Sequence, residues 1–160
     1  MEYRVTSLTA KQTQEWGNQL GRHLRGGDVV ALVGDLGAGK TAFAQGVGDA
    51  LQVKGPMTSP TFTLRHEYLG KLSGTEVKTR LIHMDLYRLQ HPEEVEVIGV
   101  EDAFKEDTIC LIEWPEIAED YMPEDRLEVE ILGSGESPRE IIFHTREREW
   151  EQRLKVITTS

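Results

Sequence analysis

The sequence predicts an α/β domain, with a central parallel sheet and antiparallel strands at its flanks. Three observations lead there. Val29–Val33 is an unbroken apolar run, as a parallel strand covered on both faces requires, and a glycine-rich turn and an amphipathic stretch follow it. Two further short strands are expected at residues 80–84 and 108–112, each ending in a carboxylate, Asp85 and Glu113. Near the end, Leu127, Val129 and Ile131 alternate with Glu128 and Glu130, the period of a strand with one wet face.

In chain order, residues 3–7 read as a short first strand. Thr9-Ala10-Lys11-Gln12 has the form of a capping box, a hydroxyl at the helix N-cap with an amide side chain three residues on. Trp16, Leu20 and Leu24 mark one buried helical face, and Gly26-Gly27 is expected to end that helix. After the glycine-rich turn a helix is expected over residues 41–51, with Phe43, Val47 and Leu51 inward. Residues 53–60, with a glycine and two prolines, read as a loop, 62–68 as a strand and 70–78 as a hairpin or exposed loop. Residues 92–104 have helical character interrupted at Gly99. Residues 133–137 form a turn, 140–144 a return strand, and 146–154 a charged closing helix with Trp150 and Leu154 on one side. No repeat, low-complexity tract or linker divides the 160 residues, so one domain over 1–160 is expected.

Composition narrows the function. A formal net charge of −10 suits direct binding to phosphate backbones poorly, so any nucleic acid is expected to be held by a partner. The single cysteine, Cys110, lies in an apolar run and reads as a small buried hydrophobe. Without a second histidine or cysteine at metal-ligand spacing, zinc is not expected. The N-terminal residues carry no apolar run and no stretch approaches membrane-spanning length, so a cytoplasmic protein is expected.

The chemistry concentrates in Gly34-Asp35-Leu36-Gly37-Ala38-Gly39-Lys40-Thr41, a full G-x-x-x-x-G-K-[ST] phosphate loop between a buried strand and an amphipathic helix. Glycines let successive backbone N–H groups turn toward one phosphate, and the helix adds its positive N-terminal end. Lys40 would reach the β- and γ-phosphates, and the Thr41 hydroxyl would hold Mg²⁺. Such a domain is a P-loop NTPase fold. In an open parallel sheet, ligands bind beyond the carboxyl ends of the strands, which puts Asp85 and Glu113 on the phosphate-loop side. One would stand near Mg²⁺ and the other would position the attacking water; the sequence leaves their assignment open. Thr58-Ser59-Pro60-Thr61-Phe62 lies where a segment sensing the γ-phosphate often lies. The sole asparagine, Asn18, precedes the loop, so the Asn-Lys-x-Asp segment of guanine-specific proteins is missing and ATP is favoured. His83 is read as structural, pointing to the face opposite Asp85, and Trp114 as packing, a lid or a partner contact.

GDLGAGKT at 34–41, SPTFTL at 59–64, HMDLYRL at 83–89, PEEVEVIGVEDAF at 92–104 and LIEWPE at 111–116 together resemble the TsaE (YjeE) family, in its order and spacing. The resemblance implies a small P-loop α/β domain that binds ATP or ADP with Mg²⁺ and hydrolyses ATP slowly alone. It implies action with TsaD and TsaB in forming threonylcarbamoyladenosine (t6A) in tRNAs that read codons beginning with A, with tRNA met only through the complex. It assigns phosphate and Mg²⁺ roles to Lys40 and Thr41, a switch role to Thr61, and acids near the nucleotide and Mg²⁺ to Asp85 and Glu113. Arg139 resembles a basic residue close to the nucleotide. The connection over residues 70–79 is longer than usual for the family. Two other functions compete with a partner-stimulated ATPase, namely a small-molecule, nucleoside-type kinase and a nucleotide switch that does not hydrolyse.

Overall fold

The computed structural model describes residues 1–35, 37–55, 57 and 64–159, with the side chains of 100 and 101 excepted. Among them, seven strands form one sheet. In chain order these are β1 (Glu2–Ser7), β2 (Val29–Val33), β3 (Arg65–Lys71), β4 (Lys78–Asp85), β5 (Thr108–Glu113), β6 (Leu127–Leu132) and β7 (Arg139–His144). The helices are α1 (Ala10–Gly21), α2 (Lys40–Ala50), α3 (Glu94–Val97) and α4 (Arg148–Thr159), with 3₁₀ turns at Val100–Phe104 and Pro115–Tyr121. The spatial order is β1-β7-β6-β2-β5-β4-β3. The centre β6-β2-β5-β4 is parallel, while β7, β1 and β3 pair antiparallel. The first tail strand therefore joins the parallel centre, and the antiparallel pairs lie outside it, β6-β7 and β7-β1 on one flank and β4-β3 on the other.

Alternation along each strand sorts the core into two layers. Leu81, Ile109, Leu111, Val30 and Leu32 face Phe43, Val47 and Leu51 from α2 and its end, and Leu154 of α4. Ile82, Met84, Cys110 and Ile112 face Val95, Ala103 and Ala118 on the other side. Side chains of this size contribute about 1.5–3 kcal/mol each when fully buried, so both layers hold the central strands. Cys110 is buried, and burial pushes its thiol well up, as befits an inert hydrophobe.

Several boundaries differ from the sequence expectation. Helix α1 ends at Gly21, ahead of Gly26-Gly27, and its last turn closes through the Arg22 N–H donating to the Asn18 carbonyl at 3.0 Å. Its contact with α2 is made of small residues. A Cβ on Gly46 would lie 1.9 Å from the Gln14 carbonyl oxygen, so only glycine admits the approach. The Thr9 hydroxyl does accept from the Gln12 N–H at 3.1 Å, but the Gln12 amide oxygen takes the N–H of Leu8, one residue before the cap. Strand β3 covers Arg65–Lys71 against the expected 62–68, of which 62 and 63 lie outside the described residues, and β4 returns beside it as a hairpin. Gly99 sits at φ 75 between α3 and its 3₁₀ turn, at the expected interruption. Helix α4 starts at Arg148 and runs on to Thr159.

Candidate functional site

The phosphate loop joins the carboxyl end of β2 to α2, as its motif requires. Gly39 caps α2 at φ 113, a left-handed geometry that side-chain-bearing residues rarely adopt, and its carbonyl accepts the first helical N–H, from Phe43, at 3.0 Å. From behind, Arg139 of β7 clamps the loop. Its guanidinium donates to the carbonyls of Ala38 at 2.8 Å, Gly37 at 3.3 Å and Gly135 at 3.1 Å, and to that of Ser137.

Strands β4 and β5 run in register, so that Asp85 and Glu113 are direct neighbours on the last rung. Both point to the α2 layer, because they share the alternation of Leu81 and of Ile109 and Leu111. Lys40, the first residue of α2, meets them. Its ammonium lies 4.0 Å from Glu113 Oε1 and 3.9 Å from the centroid of the Trp114 ring. Lys40, Glu113 and Asp85 are exposed by 5, 3 and 5 % respectively. Lys40 Nζ has no hydrogen-bond partner among the described residues. Burial lowers the Lys40 pKa from its ordinary value, and Glu113 and then Asp85 oppose that shift. Lys40 is thus a desolvated cation held beside acids and short of hydrogen bonds.

Trp114 reaches Lys40 because its backbone turns left-handed at φ 54, directly after β5. Tyr87 packs on it with ring centroids 4.9 Å apart, and the Tyr87 N–H donates to Asp85 Oδ1 at 3.0 Å. Of the expected readings of Trp114, packing onto the site is the one observed. The expectation for His83 is corrected. Residues two apart on a strand share a face, so His83 lies on the side of Asp85, and its Nε2 stands 2.6 Å from Glu113 Oε2. Counting by twos along HMD would have found it. Among the candidate residues, Leu36 and Thr61 lie outside the described residues.

A glycine-rich loop between a parallel strand and a helix, with a lysine at the helix start and strand-end acids opposite, defines the P-loop NTPase class of fold. The comparisons narrow it. Residues 7–141 match the family described as Threonylcarbamoyl adenosine biosynthesis protein TsaE, and the chain belongs to that family. It is 39% identical over 117 residues to the tRNA threonylcarbamoyladenosine biosynthesis protein TsaE of Bacillus subtilis (strain 168), covering 73% of this chain and 69% of that one. To the protein of that name from Treponema pallidum (strain Nichols) it is 38% identical, covering 86% of this chain and 97% of that one. The crystal structure of Bacillus subtilis YdiB superposes with a TM-score of 0.77 at 28% identity, covering 98% of this chain and 94% of that one. Among the described residues, no helix is long and apolar enough to cross a membrane.

Proposed function

We propose that the protein binds Mg·ATP at its phosphate loop and hydrolyses it as one component of a cytoplasmic assembly that forms t6A in tRNA, beside TsaD and TsaB type partners. The observation that carries this reading is the Lys40 ammonium, buried at the start of α2 without a hydrogen-bond partner among the described residues and facing Glu113. The names of its relatives supply the tRNA modification. The tRNA itself is reached only through the partners, in keeping with a net charge of −10.

In this reading the backbone N–H groups of Gly34, Asp35, Leu36, Gly37, Ala38 and Gly39 and the N-terminus of α2 cradle the phosphates of ATP or ADP. Lys40 moves off the Trp114 ring to the β- and γ-phosphates. Arg139 serves the nucleotide by holding the loop in shape. The Thr41 hydroxyl with Glu113 or Asp85 would form an all-oxygen donor set, which suits Mg²⁺. Mg²⁺ there would neutralise charge on the β- and γ-oxygens. Whichever acid is not committed to the metal orients the attacking water, and Thr61 senses the γ-phosphate. No arginine of this chain is assigned to the developing charge. Partner residues completing the site would raise turnover by ~10³–10⁵ in the manner of an arginine finger.

The test is ATP turnover by wild type and Glu113→Ala, each with and without purified TsaD and TsaB. Strong stimulation of wild type, absent from the variant, is the expected result. Tight Mg·ATP binding without any stimulation would move the protein to the switch or kinase class.

A further inference from the structure

His83 is 1 % exposed among the side chains that converge on the phosphate loop, and no role given above uses it. An ionised Glu113 only accepts, so the imidazole donates from Nε2 to Oε2 across 2.6 Å. Its Nδ1 finds no partner among the described residues, which leaves the bond to Glu113 as the polar contact that sets the ring. The second carboxylate oxygen, Oε1, is the one that faces Lys40. A buried lysine and glutamate with nothing else to bond would close into a direct hydrogen-bonded ion pair of about 2.7–2.9 Å. Here they stand 4.0 Å apart.

We propose that His83 is a positioning residue for the nucleotide reaction. By holding Oε2 it fixes the Glu113 carboxylate beside Asp85, with Oε1 toward the phosphate loop, and it keeps Glu113 from closing on Lys40, whose ammonium stays available to phosphate. The inference rests on the nucleotide-binding reading above. It concerns orientation, and so it holds whether Glu113 serves the metal or the water.

The experiment measures binding of Mg·ADP with and without aluminium fluoride, which mimics the transferring phosphoryl group, together with kcat and KM for ATP in the presence of TsaD and TsaB. Wild type is compared with His83→Leu, His83→Gln, Glu113→Gln and the double variant His83→Leu/Glu113→Gln. In His83→Leu the tightening caused by aluminium fluoride and kcat should each fall ~10–100-fold, the scale on which supporting contacts act. Affinity for Mg·ADP alone should fall by less than either, because the loop and Lys40 remain, although Lys40 must first leave the freed Glu113. Glutamine places an amide donor close to the position of Nε2 and should restore most of the loss. In the Glu113→Gln background, removing His83 should add nothing. If the leucine variant does not fold, His83→Asn replaces it, with an amide too short to reach Glu113.

Unchanged tightening in His83→Leu, an equal loss in His83→Gln, or losses that multiply in the double variant would each overturn the inference. Wild type that binds no ADP would overturn the nucleotide reading, and this inference with it.

Discussion

Among the described residues, two cations lie on indole faces, and their surroundings differ. Arg153 of α4 sits 3.6 Å from the centroid of the Trp150 ring. It donates from Nη1 to Asp28 Oδ2 at 2.7 Å and to the His23 carbonyl at 3.1 Å, and from Nη2 to Asp28 Oδ1 at 3.2 Å, while its Nε lacks a partner among the described residues. Lys40 sits on Trp114 at a similar distance with its nearest acid 4.0 Å away. The guanidinium is bonded to two neighbouring segments and fastens α4 to the entry of β2. The ammonium is desolvated and left wanting. The paired charge holds the fold together, and in the function proposed above the underpaired one awaits a ligand.

Substitution separates the two. Lys40→Met keeps the stem on Trp114 and removes the charge. Mg·ADP affinity, read by titration calorimetry, should fall by roughly 100-fold, the upper range for hydrogen bonds to charged groups, with the urea midpoint little changed. Arg153→Met should do the opposite. It leaves Asp28 with the Arg25 N–H but without its counter-charge, and should lower stability by about 3 kcal/mol in urea unfolding, with ADP affinity unmoved. If both variants lost stability equally, the distinction between fastener and receptor would collapse.

A smaller effect concerns a third region, exposed and ionic. Asp102 takes the Lys105 ammonium at 3.1 Å and the Arg65 guanidinium at 3.0 Å, tying the 3₁₀ turn after Gly99 to β3. Lys105 first, and then Arg65, lower its carboxyl from 3.8 to about 2. A carboxyl whose pKa is lowered by folding adds stability above its unfolded pKa and loses it as pH falls through the folded value. Asp102→Asn should therefore unfold at slightly lower urea at about pH 6, and the difference should fade between about pH 4 and pH 2. A gap that persists at the acid end would point to lost packing instead.

Much of this was legible in the sequence. The apolar run 29–33 and the loop after it specified β2 and the start of α2 by themselves, because a doubly covered strand and a phosphate turn each need a narrow choice of residues. The strand-end positions of Asp85 and Glu113 followed from the same logic. The contact of α1 with α2 did not show, since Gly17 and Gly46 carry no hydrophobic signal and their value lies only in closeness. The end of α1 at Gly21 escaped because the every-fourth-residue spacing of Trp16, Leu20 and Leu24 continues past it. The Lys40–Trp114 contact depends on one left-handed residue, a backbone choice that an indole side chain does not announce.

The shared last rung of β4 and β5 also governs where this chain can change length. Side chains repeat every two residues along a strand, so one residue inserted inside β5 would swing Glu113 from the α2 layer to the layer of Cys110 and Ile112. Its carboxylate would then meet hydrocarbon, with both His83 and Lys40 out of reach. The turn between β3 and β4 bears no such load, and extra residues there would raise the closure entropy by only a fraction of a kcal/mol, roughly 0.6 per doubling. Growth at that hairpin leaves the acids on their rung, which makes it the place for an added segment or a probe.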